Sequence, residues 1–269
     1  MSAFLSHFSY EFKSGIRNRS MLFLNYLFPL GFYIMMGLVM TAVNPTFKAV
    51  MIPAMILFTI MASTLLGLPN PLVESRLAGI YRSYKINGVP AISIISIPML
   101  TTVVHALIAA TIVALTAGPL FQGDVPVNWL NLVLITLLAA FTCGSLGALI
   151  GVVSKDTRTT VLWSQLIFLP SMLIGGLMVP LEALPEFIQP FSMLLPTTQA
   201  MQAYAGLAYE LPTVFDPLMS IGVLLSSGLL AFLLAIYLFS WDTQNSTRRG
   251  NPMLALLVLA PAVIAILFF

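Results

Sequence analysis

Charged residues are scarce in this sequence. Aspartate, glutamate, lysine and arginine make up 7% of its 269 residues, whereas 59% are hydrophobic and the mean hydropathy is +1.01. A soluble domain usually has about 25% charged residues, because water must wet its surface. The composition therefore excludes a soluble enzyme, a disordered chain and a secreted scaffold, and it indicates a membrane protein that crosses the bilayer several times.

Other features are also missing. The single cysteine, Cys143, cannot form an intrachain disulfide. The net charge of +2 provides no basic footprint, so no nucleic-acid partner is expected. The sequence has no G-x-x-x-x-G-K-[ST] phosphate-binding loop and no Cys/His cluster with metal-ligand spacing. We therefore expect no cofactor, metal site or catalytic residue in this chain.

Long apolar runs free of Asp, Glu, Lys and Arg dominate the sequence instead. A helix needs about 20 such residues to cross ~30 Å of hydrocarbon, whereas barrel strands would alternate over about ten. The predicted spans are residues 21–43, 50–68, 91–117, 129–153, 160–179 and 217–240. A seventh run, 251–269, has the length of a probable span, although it could also be re-entrant or lie flat. The predicted fold is all-α and polytopic.

The few basic residues indicate the orientation. With the N-terminus inside, the only basic residue in an outer segment is Lys48. The inner segments then hold Lys13, Arg17, Arg19, Arg76, Arg82, Lys85, Lys155, Arg158, Arg248 and Arg249. This asymmetry is typical of multi-pass proteins with a cytoplasmic N-terminus.

Three segments outside the simple spans have patterns of their own. In residues 1–20, Phe4, Phe8, Phe12 and Ile16 form one apolar stripe, which predicts an amphipathic helix lying in the inner interface. Residues 71–88 predict a further helix, because four apolar or aromatic residues recur at helical spacing: Leu77, Ile80, Tyr81 and Tyr84. A solvated basic loop is the alternative there.

The third segment, residues 180–199, is apolar yet rich in proline. A straight membrane helix does not tolerate so many prolines, and a wet loop would be more polar. Broken helices at membrane depth persist where they are buried in protein or line a cavity. The pattern predicts a re-entrant outer segment that packs near an outer opening.

In this order, the segments resemble a known family over about residues 1–245. The chain is similar to ABC-2 type permeases, the membrane subunits of ATP-binding-cassette exporters of the drug and natural-product branch. The resemblance rests on the interfacial helix before six spans, a Glu-led helix from Glu74 to Lys85 followed by Pro90, the basic loop 155–158, and a final signature. That signature comprises Pro170, Gly175, Gly176, Pro180, Pro185 and Pro196. The seventh apolar run is a departure, because most members end inside after span six.

The resemblance implies a fold, partners and sites. It implies a six-helix domain like that of type V exporters over residues 21–245, in the cytoplasmic membrane of a prokaryote, with the 71–88 helix coupling it to a separate ATPase that holds ATP and Mg²⁺. It also implies two permease copies, with a homodimer expected. The expected ATPase contacts are Glu74, Tyr81, Arg82 and Lys85. The expected transport path is lined by Met55, Phe58, Met61, Gln165, Phe168 and Met172, and the outer gate by Gly175, Gly176, Pro180 and Pro185.

The residues leave the function open among three classes. The first is export of a hydrophobic or amphipathic small molecule (a drug, a natural product or a lipid), since the spans offer no fixed charge. The second is a membrane-embedded enzyme acting on lipid, for which only Glu182, Glu186 and Glu210 are candidates, and ordinary solvated charge is the simpler interpretation of them. The third is a non-transporting scaffold or immunity protein.

Overall fold

The computed structural model describes residues 3–242 and 250–267. Within these ranges the chain forms helices and turns and no strand, which confirms the predicted all-α, polytopic membrane fold. Arg248, Arg249 and the last two residues of the 251–269 run lie outside the described part, as do residues 1–2 of the N-terminal helix prediction.

The described ranges contain eleven helices with α-helical turns, besides three short 3-10 helices. In chain order they are α1 (Ala3–Arg17), α2 (Arg19–Val43), α3 (Met51–Leu77), α4 (Ile80–Ile86), α5 (Ala91–Phe121), α6 (Trp129–Val153), α7 (Thr157–Ile174), α8 (Gln189–Met193), α9 (Pro196–Ala203), α10 (Pro217–Leu238) and α11 (Ala260–Leu267). Five of them, α2, α3, α5, α6 and α10, are long and apolar enough to cross a membrane.

Helix α3 lies at the centre of the bundle. In its most apolar 18-residue window 94% of the residues are buried, compared with 22% in α2 and 33% in α10. It packs against α2, α5, α6 and α7. The outer helices keep apolar faces exposed, as expected where lipid rather than water surrounds the protein.

Small residues allow α6 to approach α3 closely. A Cβ atom on Gly147 would lie 2.2 Å from the carbonyl oxygen of Thr64, and one on Gly151 would lie 3.1 Å from that of Pro69. Helices in membranes associate through such close contacts, because lipid removes the hydrophobic drive between them. On its other side α6 packs along α10, where the Thr142 hydroxyl donates to the Leu224 carbonyl at 3.0 Å.

The predicted boundaries differ most from the structure in the second and fifth apolar runs. The helix of the second apolar run extends beyond residue 68, because α3 continues to Leu77. Pro69 and Pro71 are accommodated in it after a π-helical turn at Ala62–Gly67. The fifth run does not remain helical to 179. Helix α7 begins after the Asp156 cap and ends at Ile174, because the following Gly175 and Gly176 bend the chain and Gly176 has a φ of +87°.

The N-terminal helix packs on α5 around one histidine. The Phe12 ring stacks on the His105 ring with the two ring centroids 4.3 Å apart, and the Tyr26 hydroxyl lies 2.7 Å from His105 Nδ1. Gly15 is buried at this contact, and the histidine leaves little room for a side chain, because a Cβ atom at position 15 would lie 2.8 Å from His105 Nε2. Phe4, at the start of the predicted stripe, is exposed, so the stripe divides between lipid-facing and packed side chains.

The C-terminal segment runs along the whole of α10. It consists of a 3-10 helix, Pro252–Leu259, followed by α11. Gly250 lies against Leu238 at one end of α10, whereas Ala262 and Ala265 of α11 pack with Val223 near the other end. At about 2.0 and 1.5 Å per residue, the two helices together reach about 28 Å.

The ends of the bundle differ in composition. We call the end that holds Arg76, Arg82, Lys85, Lys155 and Arg158 the basic end. The opposite end is the proline end, and its main feature is the proline segment, residues 175–209.

Candidate coupling site at the basic end

The predicted 71–88 helix is two helices in the structure. The last turns of α3, from Pro69 to Leu77, form the first part, and α4 forms the second. Gly79 separates them with a φ of +74°, a conformation that glycine adopts without strain, and no atom lies within 4 Å of the position its Cβ would take. The helix prediction for 71–88 is thus wrong in its continuity, because this glycine turns the chain.

One side of this segment is open to a partner. Glu74, Arg82 and Lys85 are exposed, as the sequence required of docking residues. Three apolar residues accompany them: Leu77 is 49% exposed, Ile80 42% and Ile86 81%. The sequence grouped Leu77 and Ile80 with the tyrosines, but the turn at Gly79 directs them outward. A mixed apolar and charged surface of this kind is typical of a protein-docking site.

Tyr81 lies on the opposite side of the segment from that surface. Its side chain is 5% exposed, and its ring packs 5.4 Å from the Phe239 ring, which in turn contacts Trp241. Burial raises the pKa of the Tyr81 hydroxyl above its ordinary value. In this structure Tyr81 therefore anchors the segment to the end of α10 and does not face outward as the other three candidate contacts do.

Arg82 combines exposure with a long-range ion pair. Its guanidinium donates to the carboxylate of Asp242, which follows α10 in the chain. The side chain of Arg82 remains 57% exposed, so water screens this pair.

Arg76 is the residue of this site that sequence reasoning missed. It is 5% exposed, and its guanidinium donates to the carbonyls of Val152, at 2.7 Å, and Ser154. Both acceptors lie at the C-terminal end of α6, where helix carbonyls lack partners within the helix. The sequence contained a signal for this burial, because the helical spacing of Leu72, Val73 and Arg76 places the arginine on the same face as the two apolar residues. All three are buried in the structure.

Four of the six residues predicted to line a transport path are buried. Met55, Phe58 and Met61 on α3 are at most 1% exposed. Phe58 stacks on Phe32 at 4.0 Å and contacts Phe168 of α7 at 5.8 Å. Gln165 and Met172 of α7 are partly exposed. The structure thus brings the two groups of side chains together through the contact of Phe58 with Phe168 and buries the α3 members, so the path assignment stays a prediction.

The proline segment is folded by neutral hydrogen bonds. The Ser192 hydroxyl donates to the Ile174 carbonyl at 2.5 Å, and the Thr198 hydroxyl to the Ser192 carbonyl at 2.6 Å. Gly175 fits closely, since its Cβ would lie 2.1 Å from Thr197 Oγ1. Pro180 precedes a 3-10 turn, Leu181–Ala183, which packs with Phe215.

Other predicted gate and enzyme residues are on the surface of this end. Pro185 is exposed, and so are Glu182, Glu186 and Glu210. Among residues 3–242 and 250–267, no group of three or more His, Cys, Asp or Glu side chains is placed to hold a metal ion. The three glutamates therefore have the solvated surroundings of ordinary surface charge.

Comparisons with known proteins agree with this architecture. The sequence model described as "ABC-2 type transporter" matches residues 2–209, which include the 69–88 segment and the proline segment. A Bacillus subtilis (strain 168) protein named "Putative transport permease YvfS" is 24% identical over 193 residues, which cover 70% of this chain and 78% of that relative. Membrane subunits of this family work with an ATP-binding partner. The family match, together with the polytopic helical fold, shows that this chain belongs to the ABC-2 type transporter family and is an ABC transporter permease.

Proposed function

We propose that this chain is the permease subunit of an exporter that moves a hydrophobic or amphipathic small molecule outward across the cytoplasmic membrane of a prokaryote. A separate ATPase holds ATP and Mg²⁺ and supplies the energy. The observation that carries the proposal is the docking surface at the basic end, where Leu77, Ile80 and Ile86 are exposed beside Glu74 and Lys85.

The mechanism follows from what each part of the chain can do. A partner that presses on the docking surface moves the ends of α3 and α4, and α3 runs through the centre of the bundle. Movement of α3 relative to α7 separates Phe58 from Phe168, which contact each other at 5.8 Å here. Because the buried walls are apolar, the opened space suits an amphipathic molecule better than a polymer of sugars.

The docking surface is tested directly by charge substitution. Ile86→Asp and Ile80→Asp place a carboxylate where an apolar contact is expected, so co-purification of the ATPase in mild detergent should fall about tenfold, which corresponds to about 1.4 kcal/mol. Lys155→Asp, an exposed change at the same end, is the matched control. Full retention of the ATPase by both isoleucine variants would contradict the proposal.

Transport is tested with a hydrophobic dye. Inverted membrane vesicles that contain the chain and its ATPase should accumulate Nile red on addition of ATP, and vesicles with an ATPase that cannot hydrolyse ATP should not. The homodimer part of the proposal is tested by the mass of the purified complex, which should contain two copies of this chain.

The topology has its own experiment. With the basic end inside, α10 runs inward and the 250–267 segment returns along it, so the C-terminus should lie outside. Alkaline phosphatase fused to the C-terminus should then be active, and green fluorescent protein fused there should be dark. The reverse result would place the C-terminus inside and overturn the seventh span.

A further inference from the structure

The 69–88 segment is held at two separate places. We call residues 69–78 the first arm and residues 80–88 the second arm, with Gly79 between them. Each arm has a main partner far away in the sequence, although the Tyr81 side chain of the second arm also lies close to Ser75 and Arg76 of the first. The chain between the arms adopts a positive φ in open space. Gly79 therefore allows the angle between the two arms to change.

The first arm is fastened to the end of α6. Arg76 donates from its two terminal nitrogens to the carbonyls of Val152 and Ser154. The same arm packs against Gly151, whose Cβ would lie 3.0 Å from the Leu72 side chain. Three residues beyond Val153, Asp156 caps the start of α7 by accepting from the Thr159 N–H at 2.7 Å. A displacement of this arm therefore acts on the turn that joins α6 to α7.

The second arm is fastened to the end of α10. The Tyr81 ring contacts Phe239, and Arg82 pairs with Asp242. These contacts join residues 158 and 160 positions apart in the sequence. Tyr84 of the same arm also contacts the His7 ring of α1, with the ring centroids 5.6 Å apart. The second arm thus contacts α10 and α1, on the opposite side of Gly79 from the first arm.

We propose that Arg76 is a positioning residue, and that the docking surface is a two-armed lever with its joint at Gly79. The first arm moves α6 and α7 through Arg76, and the second moves α10 through Tyr81 and Arg82. This inference rests on the proposed function for its purpose, since an ATPase must supply the push. Its geometry can be tested without that partner.

The chemistry explains why arginine occupies position 76. The end of α6 presents carbonyl oxygens and the negative end of a helix dipole, which a buried cation satisfies. A planar guanidinium reaches two carbonyls at once, whereas a lysine ammonium is a single point of attachment. Because Arg76 is buried and Arg82 is exposed, the first fastening should be much the firmer of the two.

Spin-label distances in the purified chain test the two arms separately. In a Cys143→Ala background, one pair of labels at Ala78→Cys and Arg158→Cys reports the first arm. A second pair at Ser83→Cys and Leu233→Cys reports the second arm, and all four positions are exposed. Arg76→Gln should broaden the first distance distribution about twofold and leave the second unchanged. Arg82→Gln should broaden only the second, and to a smaller extent.

The crossed pattern separates a lever from general instability. A merely destabilised protein would broaden both pairs or lose its single peak in size-exclusion chromatography. If Arg76→Gln does not fold, Arg76→Lys should still give a first-pair distribution wider than that of the native chain. A first pair that stays narrow in both Arg76 variants overturns the inference. If the crossed pattern appears but no ATPase binds, the lever stands and the proposed function fails.

Discussion

The two ends of this bundle are held together in different ways. At the basic end, the important bonds join residues far apart in the sequence, since Arg76 reaches positions 76 and 78 residues away and Arg82 reaches one 160 residues away. In the proline segment, Thr198 and Gln199 bond to carbonyls only six residues back, whereas Tyr204 and Leu207 near its end bond to Thr136 and Asn131 of α6. The basic end therefore links helices through charged side chains, whereas the proline segment is joined to itself and to α6 through neutral groups.

The difference has a physical origin. Charged side chains have a low desolvation cost where water or a soluble partner reaches them, so long charged side chains can bridge helices at the basic end. Five prolines within residues 170–196 leave backbone groups without helical partners, and nearby Ser, Thr and Gln side chains satisfy them without introducing charge.

The largest effect is expected where α6 meets α3. Gly147→Ala places a methyl group 2.2 Å from the Thr64 carbonyl, a backbone atom that cannot rotate away, so we expect a loss of about 3 kcal/mol. Thermal unfolding in detergent measures this loss. Gly222→Ala in α10 is the control, because nothing lies within 4 Å of its Cβ position. Equal stability of the two variants would show that the close approach of α3 and α6 does not matter.

A smaller and more local effect is expected in the proline segment. Gly175→Ala brings a methyl group against Thr197 Oγ1 and the Ser171 carbonyl, and should cost about 2 kcal/mol. Because Gly175 lies at the end of the bundle opposite the docking surface, limited proteolysis should show new cleavage within 175–209 while ATPase co-purification remains intact. Simultaneous loss of ATPase binding would mean that the two ends are not independent. Gly31→Ala, in open space on α2, provides the comparison.

The joint of the lever should respond to backbone strain alone. Gly79→Ala meets no neighbouring atom but must keep a φ of +74°, which costs about 1 kcal/mol in a residue with a Cβ. Gly88→Ala carries the same strain, at a φ of +73° and in equally open space, but lies at the far end of the second arm and not at the joint. ATP hydrolysis by the complex should fall for Gly79→Ala and not for Gly88→Ala, although both lose similar stability.

The smallest effect concerns the cap of α7. The Thr159 N–H donates a hydrogen bond to the exposed Asp156 carboxylate, and this bond holds the pKa of the Asp156 carboxyl below its ordinary value. The cap's contribution is therefore present at neutral pH and is lost as the pH falls through that lowered pKa. Asp156→Asn keeps an acceptor but cannot titrate. Stability measured against pH should show a small acid-side decrease in the native chain that is absent from this variant.

Sequence reasoning was strongest where a signal is local. The apolar run 129–153 forms one helix with those bounds, because an uncharged stretch of this length has few alternatives in lipid. The family was also accessible, since it depends on the order of segments along the chain. The candidate contacts fared less uniformly, because Glu74, Arg82 and Lys85 are exposed whereas Tyr81 is buried. The direction of a side chain after Gly79 depends on one dihedral angle that periodicity does not encode.

The sequence by itself determined that this protein lies in a lipid bilayer and to which family it belongs. Its shortage of charge places it in lipid, and the order of its spans, its Glu-led segment and its prolines place it among ABC-2 type permeases. Only the tertiary structure decided that Arg76 faces inward to the end of α6, that Tyr81 meets Phe239, and that Arg82 pairs with Asp242. Each of these contacts depends on how separate helices stack, and that packing is set by many side chains together rather than by any one stretch of the chain.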